Sequence, residues 1–179
     1  IKHRHRNLLV AATGTGKTVV AALDYRNLCE QWKRRPQLLF VAHRKEILHQ
    51  ARRTFREVLK DADFGELLVD GAEPHRWDFV FASVQSLHAS RLQKLDPKRF
   101  DVVIIDEFHH AQAPTYNALL DHFQPRELVG LTATPERGDG ENVQKYFDYR
   151  VAHELRLWDA LRLQLLVPMH YYGTVSYTH

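Results

Sequence analysis

The sequence predicts an α/β fold in which a mostly parallel β-sheet carries helices on both faces. Three observations lead there. Five short runs, Leu8–Ala11, Leu38–Ala42, Phe79–Ala82, Val102–Ile105 and Leu128–Leu131, are apolar throughout, as strands buried on both faces should be. Longer segments with helical spacing separate them. The first run leads straight into a glycine-rich stretch and a further helical pattern. Strands alternating with helices call for right-handed crossovers and hence a parallel sheet.

Each element has its own signal. Glu66–Val69 is a weaker sixth strand. The helical segments are Lys17–Lys33, Arg44–Lys60, Val84–Leu95 and Thr115–Phe123. In the second, Ile47, Leu48, Ala51, Phe55, Val58 and Leu59 form one apolar stripe, leaving Arg52, Arg53 and Arg56 to a solvated face. Gly138, Asp139 and Gly140 mark a loop. Beyond it the pattern weakens to a short helix over 142–147, a better one over Leu155–Leu165 and a last strand over Pro168–Gly173. Residues 174–179 carry no signal.

The 179 residues suffice for one domain with a sizeable core. No run of eighteen apolar residues occurs, which excludes a membrane-spanning helix. The first residues show no apolar signal segment. A single cysteine, Cys29, excludes a disulfide framework and a cysteine-rich metal site. These features lead us to expect a cytoplasmic protein without membrane contact. The formal net charge is only +3, but residues 1–60 hold 14 Lys/Arg against 4 Asp/Glu. A basic half of this kind attracts polyanions, although a solvated helix face explains part of it.

The stretch Ala11-Ala12-Thr13-Gly14-Thr15-Gly16-Lys17-Thr18 sits between a strand and a helix, the setting of a Walker A phosphate loop. Its glycines let backbone N–H groups turn inward around a phosphate, and the helix start adds free amides and a positive dipole end. Thr13, Gly14, Thr15, Gly16, Lys17 and Thr18 would hold the nucleotide. Lys17 supplies a compact charge for the terminal phosphates, and the Thr18 hydroxyl can ligate Mg²⁺. Ala11 stands where the strict pattern has glycine. Val102–Ile105 runs into Asp106-Glu107-Phe108-His109-His110, an apolar strand ending in two carboxylates, as in Walker B. Asp106 would hold Mg²⁺ through its water shell, and Glu107 would orient the attacking water. A histidine-bound zinc is not expected: there is no HExxH, and His43, Glu46 and His49 are spread over nearly two helical turns.

Taken together, Ala11–Thr18, Asp106–His109 and Thr132-Ala133-Thr134 resemble motifs I, II and III of superfamily-two helicases, with DEFH as a variant of the DEAD/DEAH box. Val41–Gln50 and Phe81–Leu87 resemble the nucleic-acid-contacting motifs of the branch containing restriction-enzyme motor subunits and DNA-repair translocases. Leu131–Gly140 is similar to the same branch. The resemblance covers roughly residues 7–140. It implies a RecA-like P-loop NTPase domain using ATP and Mg²⁺, with Glu107, Lys17 and Asp106 as its catalytic residues. It also implies nucleic-acid contacts by Arg44, Lys45, Ser83 and Gln85, DNA being favoured over RNA. His109, Thr132 and Thr134 would couple the ATP site to the nucleic acid. Arg137 stays without a role, and Trp32, Trp77 and Trp158 read as packing residues.

Motifs IV, V and VI, which belong to a second RecA-like domain and include the arginine finger, do not occur in the sequence. Residues 1–153 therefore read as an N-terminally truncated first motor domain, and 154–179 as a segment leading toward a missing second one. The expected function is that of an ATP-driven DNA helicase or translocase motor, weakly active alone. The alternative is a nucleotide-gated nucleic-acid-binding module that does not unwind. A nucleotide kinase would need a substrate lid, and no insertion provides one.

Overall fold

The computed structural model describes residues 5–11, 14–107, 113–133 and 151–155; of 113–115 and 151–155 it describes the backbone. In chain order the elements are β1 (His5–Ala11), α1 (Lys17–Trp32), β2 (Leu38–Ala42), α2 (Lys45–Leu59), β3 (Glu66–Leu68) and β4 (Phe79–Ser83). A 3₁₀ turn (Val84–Ser86), α3 (Ala89–Leu92), β5 (Val102–Asp106), α4 (Ala113–His122), β6 (Glu127–Thr132) and β7 (Val151–Leu155) follow. The strands form one seven-stranded sheet in the order β3-β4-β2-β5-β6-β1-β7, and every pairing among them is parallel.

Handedness decides which helix covers which face. The chain moves one way along the sheet from β1 to β2 to β3, and the other way from β4 to β5 to β6. Right-handed crossovers in opposite directions lie on opposite faces. Accordingly α1 and α2 bury Ala22, Tyr25, Leu48 and Phe55 against Leu38, Phe40, Phe81 and Ile104. On the other face Leu92 of α3, Tyr116 and Leu119 of α4, and Phe123 just after it meet Leu39, Val41, Val103 and Ile105. Adjacent strand residues thus serve opposite cores, which is why these runs are apolar at every position.

The N-terminal edge of the sheet is locked by polar contacts. Arg34 makes two hydrogen bonds to the Asp101 carboxylate at 2.8 and 2.9 Å, and the same carboxylate accepts from the Gln37 backbone N–H. Arg126 lies over the Trp32 ring, 4.2 Å from its centroid, so Trp32 is a packing residue as expected. Arg56 departs from the solvated face expected for it. Its Nε donates to the Phe64 carbonyl at 2.7 Å and its guanidinium reaches the Gly65 carbonyl, closing the turn from α2 to β3.

Three differences from the sequence reading have physical causes. The helix expected over Val84–Leu95 is broken into the 3₁₀ turn and four-residue α3. Ser83 Oγ accepts from the Ser86 N–H at 3.2 Å and pairs with Ser86 Oγ at 2.8 Å, a local bond that competes with helix continuation. β7 has no apolar run to announce it, since Val-Ala-His-Glu-Leu is mixed and the strand pairs with β1 alone at the end of the sheet. Leu155, expected to open a helix, ends this strand instead. The elements expected over 142–147, 156–165 and 168–173 lie outside the described residues.

Gly65 (φ +79°) sits where the turn meets the aromatic cluster of Phe55, Phe64 and Phe81. A Cβ placed there would come within 2.4 Å of the buried Phe81 ring. Gly71 has a similar φ of +82° but open space around it. Gly65→Ala should cost about 3 kcal/mol, combining left-handed strain with overpacking, and Gly71→Ala only about 1 kcal/mol. Urea unfolding of both variants checks this; equal losses would mean that Phe81 yields freely.

Candidate nucleotide site and adjoining nucleic-acid face

In a parallel sheet the C-terminal ends of all strands share one edge. Here that edge gathers Ala11, Ala42, Ser83, Asp106 and Thr132, the last residues of β1, β2, β4, β5 and β6. Strands β1 and β5 both flank β6, so their ends stand about 10 Å apart. Helix α1 leaves β1 toward one face and α4 follows β5 on the other, so a crevice opens between the two strand ends.

A cavity of about 290 Å³ occupies this crevice, lined by Gly14, Gly16, Lys17 and Thr18 on one side and Asp106 and Glu107 on the other. Gly14 (φ 80°) and Gly16 (φ 82°) take the left-handed backbone that the tight loop requires. Gly16 is the N-cap of α1 and brings no capping side chain, so the helix start faces the cavity with backbone amides. Lys17 Nζ donates to the Ala11 carbonyl at 2.8 Å, folding back over the loop. Burial lowers the Lys17 pKa, while the nearby Asp106 and Glu107 carboxylates oppose that shift. Thr13 lies outside the described residues.

Asp106 is 5% exposed, and its Oδ1 accepts the Glu107 N–H at 2.8 Å. Burial pushes its carboxyl up to about 6, with Glu107 adding to the rise and Lys17 and the Glu107 N–H opposing it. Glu107 itself has φ 50°, uncommon for a residue with a Cβ. Such conformations cluster at functional sites because surrounding structure must hold them. A buried carboxylate across the cavity from a threonine hydroxyl is a hard-oxygen donor set that fits Mg²⁺, which completes its shell with water and phosphate oxygens. Among the described residues no group of three or more His, Cys, Asp or Glu is placed to hold a metal.

Thr132 is fully buried at the end of β6, paired with Val10 and one residue beyond the partner of Asp106. It thus lies between the two halves of the site. His109 and Thr134 lie outside the described residues.

Four expected nucleic-acid residues, Arg44, Lys45, Ser83 and Gln85, line a second cavity of about 540 Å³ on the same edge, together with His43, Asp70 and Ser86. Lys45 Nζ donates to Asp70 Oδ2 at 3.0 Å, and this bond raises the Lys45 pKa. Gln85 Nε2 and His43 Nδ1 are 2.9 Å apart. Ser83 is buried and its hydroxyl is spent on the turn, so it holds Gln85 and Ser86 in position.

Sequence reasoning missed part of the nucleotide cavity. Ile47, Gln50 and Thr54 of α2 line it, as does Val19 of α1. Only the lateral contact between α1 and α2 brings them there; Ile47 and Gln50 fall within the Val41–Gln50 stretch read for nucleic acid, and Thr54 and Val19 in no motif. Tyr116 of α4 is also buried near the site; its hydroxyl pKa is pushed up by burial and by the Asp106 and Glu107 charges.

Fold and site together define a RecA-like domain of the superfamily-two helicase type, the first of the two motor domains. More narrowly, the chain belongs to the family of the type III restriction enzyme res subunit, whose model matches residues 1–137. It is 33% identical over 160 residues to the putative mitochondrial ATP-dependent helicase irc3 of Schizosaccharomyces pombe, covering 84% of this chain and 26% of that protein. A fragment of a putative HsdR subunit of a type I restriction enzyme from Vibrio vulnificus superimposes with TM-score 0.62 at 28% identity, covering 87% of this chain and 27% of that one. The type ISP restriction-modification enzyme LlaGI, solved with a DNA substrate mimic, shares the fold with TM-score 0.68 at 17% identity, over 92% of this chain and 19% of that one. The chain thus spans about a quarter of the curated relative it matches. No helix among the described residues is long and apolar enough to cross a membrane.

The raised Asp106 pKa has a consequence for metal-free protein. The folded value of about 6 exceeds the ordinary 3.8, so the native state keeps a proton that the unfolded chain has released. Stability therefore falls as pH rises from about 4 to about 6 and stays reduced above, by up to about 3 kcal/mol. Asp106→Asn, which keeps the acceptor for the Glu107 N–H, should melt higher than wild type at pH 8 in EDTA and equally near pH 3.5. A constant difference at both pH values would show that Asp106 ionisation is not the cause.

Proposed function

We propose that this chain binds Mg·ATP in the 290 Å³ cavity and couples its hydrolysis to DNA held in the 540 Å³ cavity, as the first motor domain of a DNA helicase or translocase. The observation that carries this reading is that one helix walls both cavities. Ile47, Gln50 and Thr54 of α2 line the first, while Lys45 and Glu46, at its start, line the second. A rigid element touching both ligands lets one site sense the other.

The loop amides and the α1 N-terminus receive the phosphates, and Lys17 exchanges its bond to Ala11 for the terminal phosphate charge. Thr18 and Asp106 are the residues that would hold Mg²⁺, which when bound neutralises charge developing on the phosphate oxygens. Glu107 accepts a hydrogen bond from the attacking water and aligns it. Thr132, between the two strand ends, reports changes at the phosphate loop to the chain that follows. Arg44, Lys45 and Gln85 contact phosphates of the nucleic acid without reading its sequence, so binding should weaken steeply with salt. A second RecA-like domain supplies the remaining half of the ATP site, and Mg·ATP turnover by this chain alone is slow. The relatives' names, an ATP-dependent helicase and restriction enzymes, support both the nucleotide and the preference for DNA.

Calorimetric titration with Mg·ATP tests the nucleotide assignment. Lys17→Ala should bind at least about tenfold more weakly than wild type, the loss of one charge-assisted contact. Glu107→Gln should bind normally and lose about 10² or more in turnover. Equal binding by wild type and Lys17→Ala would overturn the assignment, and turnover of tens per second by the isolated chain would overturn the need for a second domain.

A further inference from the structure

Two tryptophans fall among the described residues, and they are differently used. The Trp32 ring is covered by Arg126 and approached by Arg34. Trp77 is half-buried against the α3–α4 core, and no cation stacks on it among the described residues. Its indole lines a cavity of about 320 Å³, with Leu95 beside it and His88, Ser90, Arg91 and Lys94 around it. An aromatic platform bordered by cations, with no carboxylate among the described residues of its lining, suits a base and its phosphate.

This cavity adjoins the one that holds Arg44, Lys45 and Gln85. Ser86 lines that cavity, and His88, two residues on, lines this one. Gly71 lines that cavity, and Glu73, two residues on, grips the Arg91 guanidinium with both carboxylate oxygens at 2.6 and 2.5 Å. Residues two apart in the chain are within about 7 Å, so the two cavities lie close together, although no described residue lines both. Glu73 spends its charge on Arg91, and its grip holds the guanidinium plane in place. Arg91 Nε is buried and makes no hydrogen bond among the described residues. Lys94 is exposed and in no ion pair among them, which leaves its charge for a phosphate. Arg99 donates to the Trp77 carbonyl at 3.2 Å and fixes the platform.

We propose that the Trp77 cavity extends the nucleic-acid track: the strand held by Arg44, Lys45 and Gln85 continues past His88, stacks a base on Trp77 and places the adjoining phosphate at Lys94, beside the Arg91 that Glu73 holds. This rests on the proposed function, because the strand must already lie in the neighbouring cavity. The track then leaves the C-terminal edge and turns along the α3 side of β4, since Trp77 precedes that strand and His88 follows it.

Single-stranded DNA carrying 5-iododeoxyuridine, cross-linked by light to the intact chain and mapped by peptide, should attach to Trp77. Affinity for oligothymidylates of about 4 and about 12 nucleotides is measured beside it. Trp77→Leu should lose the cross-link and weaken the longer oligomer about tenfold, leaving the shorter one unchanged. Lys94→Glu alters an exposed side chain and should weaken the longer oligomer several-fold with an unchanged melting temperature. Cross-links confined to the His43–Gln85 cavity, with both variants binding like wild type, would overturn the extension and leave the proposed function standing. Absence of DNA binding in wild type would overturn both. Binding of an acidic peptide at Trp77 that DNA fails to displace would also overturn the extension.

Discussion

Everything at the functional edge depends on the parallel pairing of β1 and β5 with β6 between them. That pairing fixes where the phosphate loop and the acidic pair can be. With β6 Leu131 opposite both Leu9 and Asp106, and Thr132 opposite Val10, the ends of three strands are in step. A slip of one residue would turn Asp106 to the other face of the sheet, away from Lys17. The register is held from below by the Arg34–Asp101–Gln37 contacts and by the Asp101 carbonyl, which accepts from the Arg126 and Glu127 amides. Polar bonds at the closed edge thus set the geometry of the open edge some five residues away.

The open edge trades stability for function. Asp106 is kept in a place where its own ionisation is unfavourable, Glu107 in a backbone conformation that resists its side chain, and Lys17 where burial opposes its charge. The two electrostatic costs, at Asp106 and Lys17, would be relieved by added opposite charge. Under the proposed function, nucleotide phosphates would add negative charge at Lys17 and a divalent cation positive charge at Asp106. The cavity thus gathers groups whose charged forms burial disfavours, and ligand charges would favour them.

Much of this was legible in the sequence. Strands buried on both faces have to be apolar at every position, so β2 and β5 announced themselves, and both carboxylates after β5 followed directly. Loop chemistry was equally plain, because glycines at 14 and 16 have few other reasons to precede Lys17. Hidden features depend on contacts between elements. β7 is short, mixed and paired only with β1, so no periodicity betrays it. Gln50 falls in a stretch read for nucleic acid and Thr54 in none; their place in the nucleotide cavity emerges only when α1 lies beside α2. Ser83 had the residue type for either a cap or a phosphate contact, and its burial at 5% exposure decides for the cap. Trp77 was legible only as an aromatic residue; its position beside Arg91 and Lys94 arises from a loop whose path is set by Glu66 accepting from the His75 and Arg76 amides.

The basic excess of the first 60 residues shows why charge counting needs a structure. Arg34 is tied to Asp101, Arg35 to Asp61, Lys45 to Asp70, and Arg56 to two backbone carbonyls. All three acids lie beyond residue 60, so part of the basic excess is neutralised by the later, acidic part of the chain. What remains for a polyanion is selected by position. Lys45 is the instructive case, since its partner Asp70 is exposed and stands in the same cavity. An exposed pair of this kind contributes little to stability and is readily exchanged. A phosphate entering the cavity can replace Asp70 at Lys45 at little cost, whereas Arg34 and Arg56 remain committed to the fold. Under the proposed function, nucleic-acid affinity along the C-terminal edge would rest on loosely paired cations such as Lys45, while Arg34, Arg35 and Arg56 hold the fold in shape.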